Sequence, residues 1–256
     1  MNIYARNFFK LLEVKNSLME LLQDKKVLII GGTGGIGEEA AKLIQKANAE
    51  LYLTGRDVAK LHQVAGRTGV SKDRCFELDV TQAAQVEALA KRLTEQFGAL
   101  DVLVNAAGIG ILKPLEKLEP DEFAQVVQTN LQGAFHVMKY FLPPMKEKKE
   151  GLIINLPGVL GKVPMAGASA YAASKYGLEG MVKSIREELR RTNVRITNLY
   201  LGGTDTPFWD DIDMRVNRDK FVTAREAGRA IWFLCQQPSS GVVSEMVLQP
   251  FNHQAI

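Results

Sequence analysis

The sequence predicts an α/β fold, a doubly wound parallel sheet of about seven strands built as a single domain, and three observations carry that prediction. Short aliphatic or β-branched runs alternate with longer amphipathic stretches from Lys25 onward, and a parallel strand needs a crossover helix to reach its neighbour. A glycine-rich segment, IGGTGGIG at residues 30–37, follows the first run and opens the first helical stretch. No Pro/Gly/Ser-rich linker, low-complexity tract or internal repeat interrupts the alternation, so residues 25–256 read as one unit. A chain of 256 residues with 46% hydrophobic composition buries a core without disulfide or metal staples.

The elements follow in order. In residues 1–24, Phe8, Leu11, Leu12, Leu18, Met19 and Leu22 recur at helical spacing with Arg6, Lys10, Lys15 and Glu20 between them. This predicts an amphipathic helical extension that packs on the domain or on a second subunit, a reading preferred to binding at a membrane surface. It lacks the unbroken apolar centre of a signal peptide. Strands are expected at residues 27–30, 51–54, 75–78, 100–104, 152–156, 194–200 and 242–248, where aliphatic and β-branched residues cluster. Helices are expected near residues 35–47, 81–97, 121–148, 170–191 and 224–236.

Composition excludes several functional classes. A net charge of +3, with Lys and Arg evenly mixed among Asp and Glu, argues against nucleic acid as a partner. No apolar run is long enough for a membrane span. Cys75 and Cys235 lie far apart without partners at metal-ligand spacing, which suggests a reducing, cytoplasmic setting and core roles for both. Asp210, Asp211 and Asp213 form a short acidic cluster without nearby His or Cys, so a solvated loop is expected there and no metal site.

Chemistry is expected at two places. Gly31, Gly35 and Gly37 stand between an apolar strand and a helix, where a backbone free of Cβ atoms turns tightly and lets a pyrophosphate reach the helix N-terminus. Tyr171 and Lys175 are four apart on an expected helix and emerge from one face. An ammonium ~4 Å from a phenol contributes about 4 kcal/mol at an effective dielectric near 20, which lowers the phenol by up to ~3 pKa units. The phenol then serves as acid and base near neutral pH.

These residues belong to an ordered series that resembles the short-chain dehydrogenase/reductase family. Residues 30–37 resemble its TGxxxGxG loop with Ile30 in place of Thr, LDV at 78–80 its adenine-side segment, NAAG at 105–108 its NNAG motif. Asn130 in TNLQG matches its active-site Asn, YAASK at 171–175 its YxxxK, and LGGTDT at 201–206 its PGxVxT with Leu for Pro. The resemblance spans about residues 25–250. It implies hydride transfer between a nicotinamide cofactor and a small-molecule carbonyl or alcohol, with Tyr171, Lys175 and Asn130 as catalytic residues. Lys175 would also hold the nicotinamide ribose, and Asn130 a proton-relaying water. The cofactor residues it implies are Gly31, Thr33, Gly35, Ile36, Gly37, Arg56, Asp79, Val80, Asn105, Ala106, Gly108, Tyr171, Lys175, Thr204 and Thr206.

The second strand ends in Thr54-Gly55-Arg56, so the place where NAD-binding relatives carry a ribose-binding acid holds glycine. Arg56 offers a planar donor array suited to a 2′-phosphate, and Thr33 a hydroxyl, which together imply NADP. A bare N-cap at Asp57 beside a solvated Arg56 is the plainer alternative.

The largest departure lies thirteen residues before Tyr171, where the family carries a catalytic Ser and this chain has Gly158 in Asn155-Leu156-Pro157-Gly158. Losing one such donor to a developing oxyanion typically costs ~2.7 to 4 kcal/mol. A water, the Gly158 amide or Ser169 are the conceivable substitutes, and Gly158→Ser is expected to raise the rate. Two functions therefore stay open: a working carbonyl reductase, or an NADP-binding protein with little catalysis that senses redox state or supports a partner. The resemblance places the substrate among residues 207–221 and 158–170, where Phe208 and Trp209 either form an apolar wall or anchor a lid to the core, and the segment SEMVLQPFNHQ lacks the family's DGG. It also implies a homodimer or homotetramer that pairs helices 121–148 and 170–191 across a two-fold axis.

Overall fold

The structure, a computed structural model, describes residues 21–238 and 240–256. Most of the expected N-terminal helix lies outside the described residues; residues 21–24 form a turn in which Leu22 is buried.

Seven strands form one parallel sheet. They are β1 (Lys26–Ile30), β2 (Glu50–Gly55), β3 (Cys75–Glu77), β4 (Val102–Asn105), β5 (Glu150–Asn155), β6 (Asn193–Leu201) and β9 (Glu245–Leu248), in the order β3-β2-β1-β4-β5-β6-β9. A separate two-stranded pair, β7 (Thr204–Asp205) and β8 (Val222–Thr223), brackets the segment between them. The helices are α1 (Gly35–Lys46), α2 (Val58–Thr68), α3 (Ala83–Phe97), α4 (Pro120–Val127), α5 (Gly133–Lys148), α6 (Ser169–Glu188) and α7 (Ala224–Leu234).

The central strands are apolar on both faces because helices cover both. Successive residues of β1 alternate between two cores. Val27 and Ile29 join Leu51, Leu53, Ala40, Ile44 and Ile231 on one side of the sheet. Leu28 and Ile30 join Tyr52, Leu103, Val86 and Met138 on the other. Register is continuous across the centre, with Val27 opposite both Leu51 and Val102. The chain builds outward from β1 to β3, then returns to lay β4 on β1's other side. This reversal leaves a crevice beyond the carboxyl ends of β1 and β4, where ligands bind in open α/β sheets.

Three local features depart from the sequence expectations. Helix α2 was not among the expected helices, although Leu61, Val64, Ala65 and Thr68 are buried at helical spacing and the Asp57 carboxylate caps it by accepting from the Lys60 amide. The expected 121–148 helix is continuous but contains a π-helical turn, Gln128–Gln132, between α4 and α5. Strand β9 begins three residues later than 242, because the Val243 amide donates to Gln237 Oε1 instead of to a neighbouring strand.

Candidate active site

The crevice at the β1–β4 reversal is lined by the glycine-rich turn, the end of β2 and the segment after β4. Gly31 has φ +78, and a Cβ there would meet the Ala107 amide nitrogen at 2.8 Å, so only glycine lets these two loops pack closely. The turn delivers the first amides of α1 to the crevice, an arrangement suited to phosphate. At the end of β2, a Cβ on Gly55 would stand 2.6 Å from Thr33 Cγ2 and 3.0 Å from its Oγ1. A carboxylate at position 55 is therefore excluded as long as Thr33 keeps its place. Arg56 and Lys60 line the same end, and no Asp or Glu is among the lining residues. The residues thus fit a dinucleotide: small backbone at the pyrophosphate and two cations at the end of β2.

Tyr171 and Lys175 lie on one face of α6, as their spacing predicts, with Lys175 Nζ 5.3 Å from the phenol ring centre. The ammonium does not turn to the phenol oxygen; it donates to the Leu156 carbonyl at 2.9 Å. Their electrostatics correct the expectation from spacing alone. Burial pushes the Tyr171 phenol up to about 12 and the Lys175 ammonium down to about 8, because both charged forms lose water. The phenol in this setting is a proton holder at neutral pH.

Asn130 sits in the π turn, the kind of helix defect that re-aims a side chain inward. It is 1% exposed. Its Oδ1 accepts from the Ile109 amide at 2.8 Å, and its Nδ2 donates to the Ile109 carbonyl at 2.9 Å and to Ser174 Oγ at 3.1 Å. Ser174 in turn donates to the Tyr171 carbonyl at 2.7 Å. This chain of bonds ties the loop after β4 to helix α6. The ends of Asn130 and Lys175 converge on Gly108, where a Cβ would lie 3.2 Å from Asn130 Oδ1 and 3.6 Å from Lys175 Nζ.

Gly158 borders the phenol: a Cβ there would stand 4.0 Å from Tyr171 Oη. Its backbone has φ +69 and ψ 168, a region essentially reserved for glycine. Adding a hydroxyl-bearing side chain at this position therefore also adds strain. Ser169 is exposed at the first position of α6 and lines neither cavity, so it does not supply the missing donor.

Beside Tyr171 opens a second cavity of about 610 Å³, bounded by residues 156–165, by 201–221 and by the segment after β9. Ile36, Thr206 and Phe208 border both cavities, which makes them neighbours with Tyr171 near the junction. The Phe208 ring meets that of Tyr171 edge-on at 5.8 Å.

Of the sequence-predicted residues, Gly31, Thr33, Gly35, Ile36, Gly37, Arg56, Val80, Ala106, Gly108 and Thr206 line the first crevice. Asp79, Asn105, Tyr171, Lys175 and Thr204 do not: Tyr171 borders the second cavity and Lys175 lines neither. The Asp79 carboxylate accepts from the Thr81 amide and hydroxyl, Asn105 pairs with Asn155 in the sheet, and Thr204 borders the second cavity. Lys60 and Gln249 were not singled out. Lys60 could have been found as the next cation after Arg56, one turn along α2. Gln249 clamps the segment that follows it: its Oε1 accepts from the Ala255 amide at 2.6 Å. Asp210 of the acidic cluster pairs with Arg218, which also holds Asp205. Among the described residues no group of three His, Cys, Asp or Glu is placed to hold a metal ion, and no helix is long and apolar enough to cross a membrane. Cys235 is buried and its thiol is pushed up to about 12, which fits a core residue.

A sheet of this order with a glycine turn at the reversal and a Tyr-Lys pair on the helix after β5 defines a dinucleotide-binding oxidoreductase fold. The family described as short chain dehydrogenase matches residues 25–217, and the chain belongs to it. An uncharacterized oxidoreductase of Staphylococcus saprophyticus is 32% identical over 241 residues, covering 91% of this chain and 98% of that protein. Among solved structures, an alcohol dehydrogenase from the archaeon Thermococcus sibiricus, complexed with 5-hydroxy-NADP, is similar with a TM-score of 0.80 and 27% identity over 90% of this chain and 98% of that one. A metagenomic short-chain oxidoreductase in complex with NADP is similar with a TM-score of 0.76 and 29% identity, at 90% and 98% coverage.

Proposed function

We propose that this protein is an NADP(H)-dependent carbonyl reductase, or alcohol dehydrogenase in reverse, with Tyr171 as the proton donor. The observation that carries the reading is the junction of the two cavities: Tyr171 borders the second one, while Ile36, Thr206 and Phe208 border both. Arg56 and Lys60, with no carboxylate beside them in the crevice, support NADP over NAD, as do the NADP-type ligands of two solved relatives. When bound, the cofactor supplies the hydride.

The chain's own residues do the rest. Tyr171, kept protonated by burial, gives its proton to the carbonyl oxygen as negative charge develops there. Lys175 would hold the ribose side of the cofactor and carries charge near the phenol, with Nζ 5.3 Å from the ring centre. Asn130, through Ile109 and Ser174, keeps the loop after β4 and helix α6 in register with each other. The same reading includes a cytoplasmic setting, in keeping with the free thiols of Cys75 and Cys235. It also includes a homodimer or homotetramer through α5 and α6, where Phe135 and Tyr176 are each 45% exposed; sedimentation velocity tests that part.

Without a serine hydroxyl at position 158, turnover is expected ~10² to 10³ below that of an enzyme with the full set of donors. Gly158 also favours the second reading, an NADP-binding protein acting as redox sensor or supporting subunit. NADPH oxidation with a panel of ketones and aldehydes separates the two. The reductase reading expects slow turnover that falls a further ~10² to 10⁴-fold in Tyr171→Phe with NADPH affinity retained. NADPH binding with no turnover, indifferent to Tyr171→Phe, would establish the second reading instead.

A further inference from the structure

We propose that the substrate is a bulky, mainly apolar ketone or aldehyde whose polar or acidic end faces solvent, and that cationic and small hydroxylated carbonyls are excluded; this rests on the reductase reading above. Size is the first argument. A cavity of about 610 Å³ falls within the ~300 to 1,000 Å³ of sites for drug-sized ligands. At about 30 Å³ each, it has room for on the order of 20 non-hydrogen atoms.

The distribution of polarity is the second argument. Leu160, Val163, Met165, Met214, Val216 and Phe221 form half-buried walls. Apart from Tyr171, Thr204 and Thr206, the polar side chains of the lining are Asn217, Lys220, Asn252 and His253, and all four belong to exposed residues. A ligand with its carbonyl at Tyr171 would therefore bury an apolar body and present its polar groups at the rim. A sugar-like carbonyl would lose water from its hydroxyls with few partners in exchange. No Asp or Glu lines the cavity, and Lys220 makes no ion pair among the described residues. An acid at the rim is compatible with that charge pattern, whereas a cation would find no carboxylate among the described lining residues.

The third argument is that this wall is built into the fold. Gln249 Oε1 accepts from the amides of Ala255 and Ile256 at 2.6 and 3.3 Å, and its Nε2 donates to the Ile256 carbonyl at 3.3 Å. These bonds hold Pro250, Asn252, His253 and Ala255 against the cavity. On the opposite side Trp209 donates its indole N–H to the Thr204 carbonyl at 2.9 Å and packs on Phe208 and Phe221.

Trp209 lines the cavity and the second tryptophan, Trp232, packs against the core, so occupancy is readable without turnover. The test uses acetone, dihydroxyacetone, biphenyl methyl ketone and a trimethylammonium-substituted acetophenone. Each is titrated against tryptophan fluorescence, with Trp209→Phe as control, and assayed for NADPH-dependent kcat/KM. The biphenyl ketone is expected to change the fluorescence at concentrations at least 100-fold below the other three, to lose that signal in Trp209→Phe, and to lead in kcat/KM by a similar factor. Met214→Asp is expected to weaken it at least 10-fold more than acetone. Equal or better response to the small or cationic carbonyls, no response to any, or a signal that persists in Trp209→Phe would overturn the inference. Fluorescence binding of the biphenyl ketone without turnover of any ketone would instead overturn the reductase reading and leave the ligand class standing. Turnover confined to small polar carbonyls would do the reverse.

Discussion

Replacing Arg56 with alanine removes a guanidinium from a crevice end where, among the described residues, Lys60 is the other lining cation and no carboxylate is present. A charge-assisted hydrogen bond to phosphate contributes ~1.5 to 3 kcal/mol, so NADPH affinity is expected to fall ~10- to 150-fold. NADH has no 2′-phosphate and is expected to change by no more than about two-fold. Adding Lys60→Ala deepens the NADPH loss, though by less than the sum because the two cations share one phosphate. The same geometry says how the preference can be inverted. A Cβ at Gly55 meets Thr33 Cγ2 at 2.6 Å and Oγ1 at 3.0 Å, while the Thr33 Cβ lies at 3.4 Å, an ordinary contact. Gly55→Asp alone must displace Thr33 and is expected to impair both cofactors. Combined with Thr33→Ala and Arg56→Ala it is expected to bind NADH more tightly than NADPH. Calorimetric titration of each variant with both cofactors, at one ionic strength because screening alters such contacts, provides the check. If Arg56→Ala weakens NADH as much as NADPH, or the unaltered protein binds NADH equally well, the charge argument is refuted.

Further outcomes follow from the site and its supports. Gly158→Ser places an L side chain at φ +69, ψ 168; a cost of ~1 to 3 kcal/mol is expected in a urea melt, so the substitution does not simply restore a fast enzyme. Lys175, lowered by burial to about 8 from 10.5, is deprotonated in the native state before it is in the unfolded chain. Unfolded molecules then bind more protons between about pH 8 and 10.5, so stability rises with pH across that window, and Lys175→Met should flatten the rise. Tyr171, raised to about 12, acts oppositely above pH 10, which makes urea midpoints at pH 8 and 9.5 the clean comparison. Arg67 holds Glu38 by two bonds of 2.8 and 2.7 Å, and with Lys42 lowers its carboxyl to about 2. That stabilisation is present above about pH 4.5 and lost as pH falls toward 2, so Arg67→Gln should blunt the acid-induced loss seen by circular dichroism.

Much of this protein is legible along the chain because its signals are local. Continuous aliphatic and β-branched runs, helical periodicity and the order of the motifs locate most strands and helices, and the four-residue interval alone puts Tyr171 and Lys175 on one face. Helix α2 was passed over, although its cap Asp57 and its buried Leu61 and Val64 were there to be read. Lys60 escaped notice because its importance comes from standing beside Arg56 at the crevice, a proximity that the α2 cap creates.

Local patterns along the chain carry the parallel α/β architecture, the family, and the presence of a phenol, an ammonium and an amide in their motifs, since each depends on neighbours a few residues away. Their electrostatic state and surroundings come from the folded packing. Burial moves Tyr171 and Lys175 in opposite directions, Gly158 lies in left-handed backbone, and residues from 156 to 255, with Ile36 and Leu112, line one mainly apolar cavity. Desolvation and cavity shape are set by atoms distant along the chain, and no local pattern records which of them will meet.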